Sequence, residues 1–182
     1  MTGQPRFNCD QQEQPSWHDR ARLAAGMLQL IPVPADRPLV VRDIGCGDLK
    51  LLAALRSNGL AAEYHGLDLH PQQPGVRAYD VRTDALAQPC DAAVLLGVIE
   101  YLEEPAAILR RLAGETRYLV ASHVVRDYSR YEIEELARLN WKSHMTRHDF
   151  RAMLVDCGYH LIREEMTSNR RTVVWLCAAP AR

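Results

Sequence analysis

Residues 41–49 read Val-Arg-Asp-Ile-Gly-Cys-Gly-Asp-Leu and join a short β-branched run to an amphipathic segment. The run over 39–44 is bounded by Pro38 and Gly45, which predicts a buried strand. Leucines at three- and four-residue spacing predict a helix over 49–57. In a doubly wound sheet the turn between such a strand and helix lies at the carboxyl edge, where ligands bind. The two glycines of this turn allow main chain to approach a ligand closely.

The order of the remaining elements indicates the fold class. Strands alternate with helices along most of the chain, which predicts a mostly parallel sheet with helices on both faces. Only a turn at Ser168-Asn169 separates the last two predicted strands, so they must pair antiparallel as a C-terminal hairpin. The sequence therefore predicts an α/β, Rossmann-like, doubly wound seven-stranded sheet. Its predicted strands are 39–44, 62–69, 76–81, 91–96, 117–123, 159–166 and 172–178.

A single domain is expected, since the 182 residues contain no internal repeat and no interdomain linker. Residues 1–15, rich in Gln and Pro, are predicted to form a flexible arm, and residues 16–182 the domain. An insertion is predicted at about residues 124–145. Thr146 with Asp149 forms a capping-box pattern at the start of a late helix. The predicted helices are 17–30, 49–57, 105–114 and 146–158.

Composition argues against several classes of function. A net charge of −1 lacks the basic surplus of a dedicated nucleic-acid binder. Five scattered cysteines without a C-x-x-C pair indicate neither a disulfide framework nor a zinc site, so reduced thiols of a cytoplasmic protein are expected. The N-terminus lacks the apolar core of a signal peptide, and no apolar run approaches the ~20 residues of a membrane span. No metal, nucleic-acid or membrane partner is predicted.

Carboxylates follow the strands beside the glycine turn. Asp68 ends the second predicted strand, where it can accept hydrogen bonds from both hydroxyls of a ribose. Asp80 lies at the end of the third predicted strand and can accept from an adenine amino group. A solvated loop acid is the alternative for each residue taken alone. Acids at the ends of three consecutive strands, with Asp43 in the first, favour an adenosine site.

Charge at the turn distinguishes between adenosine ligands. A dinucleotide places its pyrophosphate against the helix N-terminus, where the helix dipole favours an anion. Here Asp48 occupies that position with Asp43 close behind, and Leu49 replaces the third glycine of a dinucleotide site. Two carboxylates repel a pyrophosphate, but they suit a ligand that carries a sulfonium and an ammonium group. The residues thus favour S-adenosylmethionine over NAD.

Four segments resemble the class I S-adenosylmethionine-dependent methyltransferases, with the closest likeness to the small-molecule group of the ubiquinone- and methionine-biosynthesis type. Residues 41–47 are similar to the first motif of this family, and residues 66–68 to its second-strand acid. Residues 90–105 resemble the fourth-strand motif with its following helix, and residues 143–159 the late helix before the terminal hairpin. The resemblance covers residues 38–178 and implies a methyltransferase that uses S-adenosylmethionine.

The resemblance also implies roles for individual residues. Main chain at the glycine turn would line the methionine part of the cofactor, Asp68 would hold the ribose, and Asp80 the adenine. Arg20 would pair with the methionine carboxylate, because the first helix of this fold often closes over the cofactor; a solvated helix face is the alternative. The implied cofactor-binding residues are Arg20, Asp43, Gly45, Cys46, Gly47, Asp68, Leu69, Asp80, Val81, Leu96 and Gly97.

The chain departs from the family pattern at three places. Leu49 replaces a common glycine, which narrows the expected pocket. Tyr101 stands where this group often has histidine. The connection from Asp68 to Val76 is too short for the usual helix, which predicts a more open adenine side.

Methyl transfer from a sulfonium is an in-line displacement with a neutral leaving group, so alignment and desolvation are the main tasks. An oxygen or nitrogen acceptor can also need a base. His123 is the first candidate, because it closes a predicted strand at the ligand edge and its unperturbed pKa suits a base near neutrality. A histidine satisfied by local hydrogen bonds is the alternative. The other catalytic candidates are Glu100, Tyr101, Asp127 and Tyr128.

Two short stretches of the sequence concern the methyl acceptor. Residues 100–102 and 141–146 loosely resemble enzymes linked to polysaccharide synthesis, which favours a small molecule such as a sugar or cell-envelope precursor. Tyr128, Tyr131 and Trp141 form either an acceptor pocket or an amphipathic cover over the sheet. The alternatives are a non-catalytic S-adenosylmethionine-binding or partner-binding module, an NAD-dependent enzyme and a methyltransferase for a macromolecule. The sequence predicts no oligomeric state.

Overall fold

The computed structural model describes residues 15–128 and 130–180, so the predicted arm falls outside it except for Pro15. The helices are α1 (Pro15–Leu28), α2 (Lys50–Ser57), α3 (Pro105–Ala113), α4 (Ile133–Arg138) and α5 (Arg147–Asp156). The strands are β1 (Leu39–Ile44), β2 (Ala62–Asp68), β3 (Arg77–Ala78), β4 (Cys90–Leu96), β5 (Thr116–Val124), β6 (His160–Met166) and β7 (Thr172–Ala178). A 3-10 turn, Ile99–Tyr101, follows β4. Within the described ranges, every helix is too short or too polar to cross a membrane.

The seven strands form one sheet in the order β3-β2-β1-β4-β5-β7-β6. β1 pairs in parallel with β2 and β4, and β4 pairs in parallel with β5. β7 pairs antiparallel with both β5 and β6. The predicted fold class, including its antiparallel C-terminal hairpin, is confirmed. Because the strand order reverses between β1 and β4, a crevice opens at their carboxyl ends.

Both faces of the central strands are buried. Val41 belongs to an apolar layer shared with α1 and α2, and Ile44 to a second layer shared with α3 and α5. In the second layer the rings of Phe150 and Trp175 pack with their centres 4.7 Å apart. Burial on both faces explains why β4, β5 and β7 are nearly continuous apolar runs rather than alternating ones.

The third strand is shorter than the sequence predicts. Instead of residues 76–81 it comprises only Arg77–Ala78, at the edge of the sheet. Tyr79 turns inward and is buried, and its hydroxyl donates to a carbonyl of the following loop at 2.9 Å. Asp80 consequently lies in a turn and not at a strand end. No helix connects β2 to β3, as the short connection predicts.

Helix α1 is attached to the C-terminal hairpin through a buried carboxylate. Asp19 accepts a hydrogen bond from the main-chain N–H of Ser168 at 2.7 Å and pairs with Arg22. α1 also packs against α2 and β7. These contacts bring Trp17 and Arg20, both on α1, to the carboxyl edge of the sheet.

The segment between β5 and α5, where the sequence predicts an insertion, contains the short helix α4. Main chain ties this segment to the 3-10 turn after β4: the N–H groups of Lys142 and Ser143 donate to the carbonyl of Glu100 at 2.6 and 3.1 Å. The capping box of Thr146 and Asp149 at the start of α5 is confirmed. The segment is therefore fixed next to the residues that follow β4.

Candidate active site

A cleft of about 1110 Å³ lies at the carboxyl ends of β1, β2 and β4. Gly45 has a φ of 72°, and a Cβ on this residue would lie 2.5 Å from Val98 Cγ2. Only glycine therefore allows the turn after β1 to approach the segment after β4 so closely. All of the predicted cofactor-binding residues line this cleft: Arg20, Asp43, Gly45, Cys46, Gly47, Asp68, Leu69, Asp80, Val81, Leu96 and Gly97.

Leu49 continues the glycine turn with a backbone conformation that suits glycine. Its φ of 65° lies in the left-handed region, where a leucine is disfavoured by about 1–2 kcal/mol. The departure from the family pattern thus changes the side chain at this position and keeps the turn conformation that a glycine would adopt. Leu49 precedes the first residue of α2 and begins the helix without a side-chain cap.

Asp68 joins the two loops that frame the cleft. One carboxylate oxygen accepts from the N–H of Gly47 at 3.0 Å, and the other accepts from the N–H of His70 at 2.9 Å. Each carboxylate oxygen can accept more than one hydrogen bond, so Asp68 retains capacity for a ligand. Its position at the end of β2 agrees with the predicted ribose contact, which stays a prediction.

Asp43 is a buried acid in the wall of the cleft. It accepts a hydrogen bond from the Tyr64 hydroxyl at 2.6 Å. The pKa of Asp43 is raised to about 7: burial is the main cause and the nearby Asp68 adds to it, while Tyr64 and Arg20 act in the opposite direction. A ligand cation in the cleft would favour the ionised form of this carboxyl.

Asp80 is engaged by a neighbouring cation. Arg82 donates to its two carboxylate oxygens at 2.8 and 2.6 Å, and these hydrogen bonds lower the pKa of Asp80. The adjacent carbonyl of Val81 accepts from Arg111. Asp80 lines the cleft, but an adenine amino group would share its carboxylate with Arg82.

The sequence predicts a free negative charge at Asp48, but in the structure this carboxylate is paired. Asp48 pairs with Lys50, whose ammonium also lies 5.5 Å from the centre of the Trp17 ring. The repulsion of a pyrophosphate is therefore weaker than the two carboxylates suggested. Trp17 and Lys50 both line the cleft, and sequence reasoning did not assign either to the site. The position of Trp17 in the first turn of α1 is the signal that could have indicated it.

Arg20 reaches from α1 to the end of β4. A Cβ on Gly97 would lie 2.5 Å from Arg20 Nη1, so the absence of a side chain there makes room for the guanidinium. Arg20 Nε is buried without a hydrogen-bond partner among the described residues. Burial lowers the pKa of Arg20, while the charges of Glu100 and Asp43 raise it. The arrangement presents a desolvated cation beside the glycine turn, as a carboxylate ligand requires.

Glu100 supplies a carboxylate to the same cleft. Its side chain is 1% exposed, and one oxygen, Oε1, accepts from the N–H of Val124 at 2.8 Å. The other oxygen, Oε2, is buried and has no hydrogen-bond partner within the described ranges. Tyr101, the next residue of the 3-10 turn, also lines the cleft. The catalytic candidates Glu100 and Tyr101 therefore lie where a ligand can contact them.

His123 does not face the cleft, contrary to the expectation from its place at a strand end. Its ring is 0% exposed, stacks on Phe150 of α5 at 5.1 Å, and accepts from the N–H of Met145 through Nε2 at 3.0 Å. Burial lowers the pKa of His123, which favours the neutral ring. The hydrogen bond to Nε2 then assigns the proton to Nδ1, which lies 3.7 Å from Glu100 Oε1. His123 thus stands behind Glu100 and not in contact with an acceptor.

The two minor catalytic candidates lie elsewhere. The Asp127 carboxylate accepts from the N–H of Arg147 at 2.6 Å and so caps α5. Tyr128 is exposed, and neither residue lines the cleft. In the part of the chain that the structure describes, no group of three or more His, Cys, Asp or Glu side chains is arranged to hold a metal ion.

A family model described as a methyltransferase domain matches residues 16–164. This chain belongs to that family. It is a class I S-adenosylmethionine-dependent methyltransferase, as the four motif segments indicate. No curated protein matches the chain.

Solved structures share the fold of this methyltransferase. Magnesium protoporphyrin IX methyltransferase from Synechocystis, with bound SAH, superposes with a TM-score of 0.66 at 20% identity over 94% of this chain and 90% of that one. A chain of the complex between the Haloferax volcanii Trm112 methyltransferase activator and a methyltransferase gives 0.71 at 15% identity over 92% and 90%. The pyocyanin biosynthetic protein PhzM gives 0.60 at 16% identity over 91% and 54%.

S-adenosylmethionine is the cofactor of the methyltransferase, and the residues of the cleft fit it. Gly45 and Gly97 stand where any Cβ would clash with the opposite wall, as a ligand lying close to main chain requires. The unpartnered Nε of Arg20 suits the cofactor carboxylate, and Asp43 suits a cation. Asp68 has oxygens available for the ribose. These residue roles are predictions that the geometry permits.

Proposed function

We propose that this methyltransferase methylates a hydroxyl oxygen of a small ring compound, such as a sugar or cell-envelope precursor, with Glu100 as the base. The buried and unpartnered Oε2 of Glu100, in the same cleft as the glycine turn, carries this proposal. A buried carboxylate oxygen without a donor is unfavourable, and an acceptor hydroxyl would supply that donor.

The size of the cleft supports a second ligand beside the cofactor. Its volume of about 1110 Å³ exceeds the roughly 300–1,000 Å³ of a typical small-molecule pocket. The cleft is lined by the glycine turn, Asp43 and Asp68, which suit the cofactor, and also by Tyr101 and Trp141, which the cofactor does not account for. Together with the Glu100 carboxylate, these aromatic side chains suit a hydroxylated ring.

The residues have distinct tasks in this reaction. The bound cofactor supplies an electrophilic methyl group on a sulfonium, which departs as a neutral thioether. Glu100 Oε2 accepts the proton of the acceptor hydroxyl, so that the oxygen can form the new bond to carbon. The N–H of Val124 holds Oε1 and thereby orients the carboxylate. Arg20 and the turn at Gly45 hold the cofactor in line with the acceptor.

The net charge of the chain and its structural neighbours both favour a small acceptor over a nucleic acid. The net charge of −1 provides little attraction for a phosphate backbone. Structural neighbours are named for magnesium protoporphyrin IX and for pyocyanin biosynthesis, both ring compounds. The resemblance of residues 100–102 and 141–146 to enzymes of polysaccharide synthesis favours a sugar ring among such compounds.

A second candidate is a cofactor-binding module that acts only with a partner protein. Ile133 on α4 is 82% exposed, as a contact residue for a partner would be. A similar fold occurs in a complex with a methyltransferase activator. Under this alternative the purified chain binds S-adenosylhomocysteine but forms none from S-adenosylmethionine with any acceptor.

The test compares Glu100→Gln with the wild type. Purified protein is incubated with S-adenosylmethionine and a panel of free sugars, sugar nucleotides, catechols and phenols, and S-adenosylhomocysteine formation is measured. Glu100→Gln should lower kcat by roughly 10²–10⁴-fold and bind S-adenosylhomocysteine as tightly as the wild type. Glu103→Gln, an exposed acid of the same cleft, is the matched control. Full activity of Glu100→Gln would exclude Glu100 as the base.

A further inference from the structure

The cleft contains an unusual group of buried polar atoms without partners. Arg20 Nε, Glu100 Oε2 and Trp141 Nε1 each lack a hydrogen bond to any described residue, and all three side chains line the cleft. Unpaired buried donors and acceptors are rare in folded proteins, and their concentration in one cleft indicates a ligand that pairs with them. The cofactor accounts for Arg20, and the proposed base accounts for Glu100. The indole N–H of Trp141 has no assigned role.

Main chain holds Trp141 close to Glu100. The residues immediately after it, Lys142 and Ser143, both donate their N–H groups to the Glu100 carbonyl, at 2.6 and 3.1 Å. The Ser143 hydroxyl also donates to the carbonyl of Ile99 at 2.8 Å. Trp141 is therefore one residue away from a main-chain contact with the base. The indole and the Glu100 side chain line the same cleft.

The Trp141 ring is held in place by aromatic neighbours. Tyr131 contacts it edge to face, with ring centres 5.1 Å apart and planes inclined at 72°. His144 lies 5.7 Å from it, and Tyr131 and His144 contact each other at 5.5 Å. A ring supported in this way loses little conformational entropy when a ligand binds. Such a preformed aromatic surface is suited to recognition.

We infer that Trp141 determines acceptor specificity: its indole N–H donates to a second oxygen on the ring whose hydroxyl contacts Glu100. This inference rests on the proposed function and defines the acceptor class more closely. The acceptor donates to Glu100 through one oxygen and accepts from Trp141 through another. A ring that carries two oxygens meets both requirements, whether it is a flat aromatic diol or a puckered sugar-like diol. A ring with a single hydroxyl satisfies only one of the two unpaired atoms.

A purely structural role for Trp141 would leave its donor unexplained. An apolar cover over the sheet needs only a hydrophobic side chain, and phenylalanine or leucine would supply one without an unpaired N–H. If Trp141 is only an apolar cover, Trp141→Phe should leave ligand recognition unchanged. If the Trp141 indole donates to the acceptor, the same substitution should weaken binding of rings that carry two oxygens and leave binding of the cofactor unchanged.

The indole N–H can be observed directly. The chain has three tryptophans, so a uniformly ¹⁵N-labelled sample gives three indole signals, assigned with Trp17→Phe and Trp141→Phe. Trp175 donates to Glu164 at 2.8 Å and serves as an internal reference. Protein saturated with S-adenosylhomocysteine is titrated with catechol, trans-cyclohexane-1,2-diol, phenol and benzene. Catechol and the cyclohexanediol distinguish an aromatic acceptor from a sugar-like one.

At least one diol should move the Trp141 indole proton downfield, while benzene should not and the Trp175 signal should stay fixed. In the Trp141→Phe protein the affinity for that diol should fall by roughly 2- to 10-fold, the effect of one hydrogen bond. The affinity for S-adenosylhomocysteine should be unchanged in this variant. Trp141→Leu, which also removes the ring, should weaken diol binding further.

The inference is overturned if neither diol moves the Trp141 signal, or if benzene moves it as much as the diols do. It is also overturned if the Trp141→Phe protein binds the diols with wild-type affinity. Failure of the proposed function has a different signature, since it would appear as wild-type protein that does not bind S-adenosylhomocysteine or as a fully active Glu100→Gln variant.

Discussion

Asp43 shows how one buried side chain can link pH to stability. Its carboxyl lies in the wall of the cleft, bonded to Tyr64, and burial raises its pKa to about 7. In the unfolded chain the same group titrates near 3.8. Between these two values the folded protein retains a proton that the unfolded chain has lost, so the contribution of Asp43 to stability decreases as the pH rises through this window.

Asp43→Asn removes this dependence and keeps the size of the side chain. Relative to the wild type, the variant should gain about 2–3 kcal/mol in free energy of unfolding between pH 5 and pH 8, measured by urea denaturation without cofactor. In Tyr64→Phe the decrease in stability should extend to higher pH than in the wild type, because the Tyr64 hydroxyl lowers the pKa of Asp43. A constant difference between Asp43→Asn and wild type across this pH range would contradict the assignment.

Gly97 is a second position where one added carbon atom would change the cofactor site. It has a φ of 72°, and an added Cβ would displace the Arg20 guanidinium. Gly97→Ala should therefore weaken S-adenosylhomocysteine binding by about tenfold or more in calorimetric titration, which corresponds to at least about 1.4 kcal/mol. Gly26→Ala on α1 is the control, because a Cβ there meets nothing within 4 Å. Equal affinities of the two variants would mean that Arg20 does not contact the cofactor.

Helix α1 contributes to the site because it is attached to the C-terminal hairpin. It carries Trp17 and Arg20 into the cleft, and Asp19 fixes it to the main chain at Ser168. Hydrogen bonds with Ser168, together with Arg22, lower the pKa of Asp19 despite its burial. The carboxylate therefore stabilises the docked helix above its unfolded pKa and loses this effect as the pH falls toward the lowered folded value.

Asp19→Ala should weaken the attachment of α1 to the C-terminal hairpin, although Asp19 does not line the cleft. Loss of a hydrogen bond to a charged group should weaken S-adenosylhomocysteine binding by roughly tenfold. Hydrogen exchange of the α1 amides should become faster in the same variant. Arg22→Ala is the matched control, since the Arg22 side chain is 72% exposed and its ion pair contributes little. If the two variants bind equally well, α1 is held by its apolar contacts alone.

Across the whole molecule, cofactor binding and folding are linked. The cleft is assembled from α1, the turn after β1, the end of β2 and the segment between β5 and α5, which meet only in the folded chain. A ligand that contacts all of these elements binds the folded state and not the unfolded one. It must therefore stabilise the protein by mass action.

S-adenosylhomocysteine at about 100 times its Kd should stabilise the protein by about 2.7 kcal/mol. For a chain of this size that corresponds to a rise in Tm of roughly 5–10 °C, measurable by differential scanning calorimetry. NAD at the same concentration should leave Tm unchanged, because acidic residues and the missing third glycine disfavour a pyrophosphate. Equal stabilisation by NAD would reopen the dinucleotide interpretation.

The strands, the glycine turn and the acid at the end of β2 could be read from sequence because each depends on neighbouring residues. A β-branched run between Pro38 and Gly45 favours a strand, and the two glycines that follow permit the positive φ values of the turn. The motifs that resemble the family indicated S-adenosylmethionine as the cofactor. The third strand is predicted over 76–81 but comprises only Arg77–Ala78, because Tyr79 turns into the core, which local propensity does not indicate.

The positions of His123 and Trp141 were decided by tertiary structure. β5 is buried on both faces, so its sequence has no alternation to show that His123 points toward Phe150 and away from the cleft. Trp141 reaches the cleft because the residues after it bond to the carbonyl of Glu100, about forty positions earlier in the chain. Contacts between distant segments depend on the packing of the whole sheet, and local sequence patterns carry no information about them.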